Sequence, residues 1–146
     1  MRPPAVHASC VSIGGVGILI RGTSGSGKSD LVLRLIDAYD AKLVADDQVE
    51  LQLRDNALYA SPPANLAGQL EIRGQGIVTV EYMAPIKISA VIDLAPLAEI
   101  DRMPEAQDLQ TTLEGIELPR LKLYAPAPSA PARIKAFLKA KLVISF

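Results

Sequence analysis

Residues 22–29 read Gly22-Thr23-Ser24-Gly25-Ser26-Gly27-Lys28-Ser29, and every fixed position of the phosphate-binding pattern G-x-x-x-x-G-K-[ST] is filled. The spacing follows from the chemistry. Glycines let successive backbone N–H groups turn inward and approach phosphate oxygens closely. A helix that starts at the end of the loop points its N-terminus at the anion. Lys28 then reaches the β and γ phosphates, and the Ser29 hydroxyl suits Mg²⁺. The flanks agree with this. Gly17-Ile18-Leu19-Ile20 is an apolar strand pattern. Residues 28–39 carry Leu31, Leu35 and Ala38 on one helical face, with Arg34 and Asp37 away from it. All eight residues, from Gly22 to Ser29, are therefore expected to bind nucleotide.

The next chemical signal is Leu43-Val44-Ala45-Asp46-Asp47, two carboxylates at the end of a short apolar strand. An acid at such a strand end holds Mg²⁺ in phosphate-loop proteins. One acid suffices for that, so the second can act as a general base, and adjacent like charges favour such a role by raising one pKa. Aspartate is also an ordinary turn residue. His7 is the one histidine, and from the residues alone it reads as structural or exposed more readily than as catalytic. Cys10 reads as a small apolar filler.

Elsewhere the pattern is mostly strands. Residues 11–20 read as one strand, or as two broken by Gly14-Gly15. Residues 42–45, 48–53, 57–60, 77–80, 86–94 and 117–124 also read as strands. Residues 61–68 are expected to be a loop, 96–110 a short helix or ordered loop, 125–132 a stiff Pro/Ala linker, and 134–142 a closing helix. The expected class is α/β: one phosphate-loop domain over residues 1–146 with a mixed sheet.

The composition excludes several classes. Fifteen Lys and Arg against sixteen Asp and Glu give a net charge of -1, so no global basic field attracts nucleic acid. One cysteine and one histidine build neither an internal disulfide nor a structural zinc site. No apolar run approaches the roughly 20 residues that span a bilayer. The first ten residues lack a leader-type apolar core. The expectation is a soluble cytoplasmic domain with no membrane or nucleic-acid partner.

Four segments together resemble the catalytic domain of the HPr kinase/phosphorylase family. They are His7 with the loop 22–29, Leu43-Val44-Ala45-Asp46-Asp47, Leu70-Glu71-Ile72-Arg73-Gly74-Gln75-Gly76-Ile77, and Ile100-Asp101-Arg102. The third is similar to the family signature L-E-I-R-G-x-G-I and is the most specific. The resemblance implies a fold like that of phosphoenolpyruvate carboxykinase. It implies phosphoryl transfer from ATP to a serine of HPr or an HPr-like phosphocarrier, with Mg²⁺, in regulation of the bacterial phosphotransferase system. It also implies a homo-oligomer, a hexamer in the family. Residue by residue, it implies Lys28 on phosphate, Asp47 as proton acceptor, and His7 and Arg102 as further active-site residues. Ser29 and Glu71 become metal ligands beside Asp46.

Two departures qualify the resemblance. The chain begins almost at His7, so it is expected to be a short form without the amino-terminal domain of many members. Where the family carries a P-V-R-P-G-R-N-like loop linked to dephosphorylation, this chain has Tyr124-Ala125-Pro126-Ala127-Pro128-Ser129-Ala130. The forward direction is therefore expected to be intact and the reverse phosphorolysis weak. Two rival readings are a small-metabolite kinase and a nucleotide-sensing module without turnover. The first usually has a lid of clustered arginines, not visible here. The second has less need of the two aspartates and Glu71.

Overall fold

Strand β3 (Val16–Arg21) carries the chain directly into the phosphate loop, and helix α1 (Lys28–Tyr39) leaves it. The structure, a computed structural model, describes residues 5–146. The first four residues, part of the stretch read as lacking a leader, lie outside the described residues. Before β3 come β1 (Ala5–Val6) and β2 (Ala8–Ile13). The 11–20 stretch is thus two strands. Gly14 and Gly15 turn between them at φ +57 and +81, a conformation that side chains resist. After α1 come β4 (Lys42–Ala45), β5 (Val49–Arg54) and β6 (Ala57–Ser61). The hairpin β7 (Gln69–Ile72) and β8 (Gly76–Thr79) follows, then β9 (Ile86–Leu94).

The main sheet has nine strands in the order β1-β5-β6-β9-β3-β2-β4. The other two are β10 (Gln110–Leu113), paired with β11, and β11 (Ile116–Leu123), which lies parallel to β9. Strand β3 is also parallel to β9, while β2 is antiparallel to both β3 and β4. The carboxyl ends of β3, β4, β9 and β11 therefore share one edge. The β7–β8 hairpin is a separate two-stranded sheet.

Period-two alternation sends Val11, Ile13, Ile18 and Ile20 to the face under α1 and α2 (Ala130–Lys141). It sends Cys10, Leu19, Val44, Leu51 and Leu58 into a second cluster on the opposite side. A register shift where β3 meets β9 moves the alternation by one residue, so Ile88 joins one cluster and Ala90 the other.

One expectation needs correction. The 125–132 segment is not a free linker: Ala125 and Ala130 are buried, and α2 starts at Ala130. Pro131 stands in the first helical turn, where its missing N–H has no intrahelical partner to lose. Residues 96–110 form the expected ordered loop, with two single 3₁₀ turns at Leu97–Glu99 and Ala106–Leu109, and β10 opens at its last residue, Gln110.

Candidate active site

The phosphate loop closes tightly on itself. Gly25 and Gly27 sit at φ +80 and +99, in the left-handed region that favours glycine. A side chain on Gly22 would run into Ser26 Oγ and Leu94 Cβ. Lys28 is 7% exposed, and its Nζ donates to the carbonyls of Gly22 at 2.7 Å and Thr23 at 3.1 Å. The ammonium is thus held over the loop by two backbone oxygens. Burial lowers its pKa, and the charges of Asp47 and Asp46 partly oppose that.

The end of β4 meets this loop. Asp46 accepts hydrogen bonds from Ser29 Oγ at 2.9 Å on both carboxylate oxygens and from Ser9 Oγ at 2.8 Å. The Glu71 backbone N–H also donates to Asp46, at 3.3 Å. Asp47 adopts φ +69, which aspartate tolerates better than most side chains. This turn separates the two carboxylates. Asp46 faces Ser29, while Asp47 reaches His7, with Nε2 to Oδ1 at 2.6 Å. Both partners of that pair are half-exposed or more, at 49% and 65%, so the pair is open to an incoming group. The Ser9 hydroxyl ties the arrangement together, since it also accepts from the Asp47 N–H at 3.3 Å.

Part of this arrangement lines one cleft of about 580 Å³. It gathers His7, Lys28, Ser29, Asp47 and Glu71, with Arg73 at the hairpin turn. Hairpin β7–β8 presents Glu71: the turn at Gly74 and Gly76, φ +91 and +94, folds β8 back onto β7, and β7 packs beside α1. Among the described residues no three His, Cys, Asp or Glu form an all-protein metal cage. The hydroxyl of Ser29 with the carboxylates of Asp46 and Glu71 is nonetheless an all-oxygen set of the kind that fits Mg²⁺. That ion takes one or two carboxylates and completes its shell with water and substrate phosphates.

Arg102 does not join the cleft. It lines a second cavity of about 290 Å³ with Arg120, Lys122, Tyr124 and Arg133. The reason is topological. The chain leaves β9 and crosses to β10 on the β11 side, away from β4.

Some site residues escape sequence reasoning. Ser9 is a fully buried polar residue inside an apolar strand, and that placement is its one sequence signal. Asp93 left none. It accepts from Arg21 at 2.7 and 2.8 Å and from Arg120 at 2.6 Å. Burial raises the Asp93 carboxyl, but the two guanidinium groups outweigh it and hold it below the usual carboxylate range. Arg21 immediately precedes the phosphate loop, so this clamp fixes where the loop begins.

Comparison with known proteins places this geometry in a family. A model of the HPr Serine kinase C-terminal domain matches residues 2–127. An HPr kinase/phosphorylase of Geobacillus thermodenitrificans is 37% identical over 153 aligned residues, covering 97% of this chain and 48% of that protein. One from Limosilactobacillus reuteri is 35% identical over 130, covering 82% and 40%. The chain thus spans about half the length, or less, of these relatives. The solved structure of the Hpr(Ser) kinase/phosphatase from Coxiella burnetii superimposes with a TM-score of 0.81 at 26% identity, over 94% of this chain and 89% of that one. With the phosphate loop, the paired aspartates and the L-E-I-R-G-Q-G hairpin converging on one cleft, the chain belongs to the HPr serine kinase C-terminal domain family.

Proposed function

We propose that this chain is a protein serine kinase that transfers the γ-phosphoryl group of ATP to a serine of HPr or an HPr-like phosphocarrier in the cytoplasm. The carrying observation is the division of labour between neighbouring aspartates: Asp46 on Ser29, Asp47 on His7. Lys28 meets the β and γ phosphates on leaving its two carbonyls, and the loop amides cradle them. Ser29, Asp46 and Glu71 would hold Mg²⁺, which supplies charge neutralisation for the transferring group. Asp47 takes the proton of the serine hydroxyl as its oxygen bonds to phosphorus and the bond to ADP breaks. His7 holds the Asp47 carboxylate in place across 2.6 Å and faces the same opening.

The exposed partners leave room for a protein substrate, which suits a carrier serine better than an enclosed metabolite. Incubation of the purified chain with ATP, Mg²⁺ and HPr is expected to label HPr on serine. Labelling of no carrier protein, with transfer to a small metabolite instead, would reject this reading. We also propose a homo-oligomer, a hexamer as the family resemblance implies. Met103, Leu97 and Ile77 are 86%, 64% and 67% exposed, apolar surface available to a neighbour. A sedimentation mass of one chain at micromolar concentration would rule this out.

A further inference from the structure

We propose that Ser9 is a positioning residue for phosphoryl transfer: its buried hydroxyl pins the strained turn that aims the Asp47 carboxylate. The inference rests on the reading of Asp47 as the proton acceptor and adds the group that holds it in place.

The turn carries the argument. Asp47 has φ +69, and the Gln48 N–H donates to the Asp46 carbonyl at 2.8 Å, two residues back. A bond of that span around a central φ of about +75 is the pattern of a rare and strained γ-turn. Such strain persists only where surrounding contacts over-determine the backbone. Two contacts from one stretch of chain do so here. His7 reaches the Asp47 carboxylate at 2.6 Å, but that pair is half-exposed or more and open to water. Ser9, two residues on, is fully buried and accepts from the Asp47 N–H at 3.3 Å.

Strand pairing puts Ser9 there. Strand β2 lies between β3 and β4. Cys10 stands opposite Ala45 in the antiparallel pair, so Ser9 comes opposite Asp46, where the turn begins. On its other side Ser9 pairs with Ile20 of β3, just before the phosphate loop. Its neighbours Ala8, Cys10 and Val11 are all buried, and a hydroxyl in such surroundings costs free energy unless it is hydrogen-bonded. The partners also fix its direction. A hydroxyl has one proton and two lone pairs. The Asp47 N–H can only donate, so it takes a lone pair. The proton goes to Asp46 Oδ1, at 2.8 Å. The hydroxyl thus bridges the carboxylate of one aspartate and the backbone of the next. Without it Asp46 keeps Ser29 and the Glu71 N–H, so its loss falls on Asp47.

Ser9→Thr and Ser9→Val have nearly the same shape, and only the first keeps a hydroxyl. With HPr, ATP and Mg²⁺, Ser9→Val and Ser9→Ala are expected to lower kcat by about tenfold, the kinetic equivalent of one hydrogen bond. The KM for HPr and the affinity for ATP are expected to stay within about twofold, and Ser9→Thr to transfer within about threefold of the wild type. In the Asp47→Asn background Ser9→Val is expected to add less than about twofold, because residues that act as a unit are not additive. Amide exchange at Asp47 in the nucleotide-free chain is expected to be about tenfold faster in Ser9→Val than in Ser9→Thr. Equal rates of transfer in the Thr and Val variants would show that packing and not the hydroxyl matters, and would overturn the proposal. Equal exchange at Asp47 in the two would overturn it as well. A further loss of about tenfold in the Asp47→Asn background would place the effect on Asp46 and overturn it too. Slow transfer by Asp47→Asn beside undiminished transfer by Ser9→Val would reject the role of Ser9 alone. Wild-type transfer by Asp47→Asn would remove the proton-acceptor reading, and this proposal with it.

Discussion

At the scale of single residues, the two aspartates are chemically identical and one bond apart in the chain, yet they have different partners. The left-handed backbone at Asp47, φ +69, turns its carboxylate away from Ser29 and toward His7. The roles should therefore separate on mutation. Asp47→Asn keeps the shape but cannot take the serine proton. It is expected to retain nucleotide binding while transfer to HPr falls by about 10²–10⁴, the usual cost of removing a general base. Asp46→Asn is expected to raise the Mg²⁺ concentration needed for half-maximal rate. Wild-type transfer by Asp47→Asn, with an inactive Asp46→Asn, would reverse the assignment. Legibility at this scale was high for the loop and the aspartates, because short contiguous motifs bring their own geometry. It was low for Ser9, whose contact with Asp46 spans 37 residues of sequence and comes from β2–β4 pairing.

Among the elements, the Asp93 clamp ties β3, β9 and β11 together just where β3 becomes the phosphate loop. The Asp93 side chain is 18% exposed, so removing it leaves Arg21 and Arg120 facing each other with little solvent. Asp93→Asn is expected to destabilise the fold by about 3 kcal/mol, as for a broken buried ion pair. The pH dependence follows from the sign of the shift. Its folded pKa lies below the unfolded value, so its stabilisation is fully present above about pH 4 and is lost as pH falls through the folded value. Melting temperatures between neutral pH and about pH 2.5 should therefore fall more steeply for the wild type than for Asp93→Asn. Parallel curves would show that the clamp is not a source of acid sensitivity. Neither arginine advertised this role, since an Arg before a glycine loop reads equally well as a solvated strand end.

For the whole molecule, the segment 124–130 bears on the direction of catalysis. Phosphorolysis of phosphoserine brings inorganic phosphate against a dianionic phosphoryl group, forming pyrophosphate and free serine. Positive charge or oriented N–H donors must offset that repulsion. This segment holds no Arg or Lys, Pro126 and Pro128 provide no N–H, and its Ala125 and Ala127 carbonyls already bind Arg34. With serine-phosphorylated HPr, Mg²⁺ and millimolar phosphate, pyrophosphate release is expected to be at least about tenfold slower than the forward transfer, the size of one missing charged contact. Release at the forward rate would show the segment dispensable. Some of this molecule follows from local chemistry alone. The octapeptide 22–29 requires a strand before it and a helix after it, and period-two alternation marks most strands of the sheet. Other parts depend on long-range pairing. Leu70-Glu71-Ile72 forms a hairpin outside the main sheet. The 125–132 stretch, read as a linker, packs against the phosphate loop and starts α2. Arg102 lies in a cavity apart from Asp47, because β9 has β3 on one side and β11 on the other. The chain crosses between them at the shared edge, and no local pattern records which neighbour a parallel strand will choose.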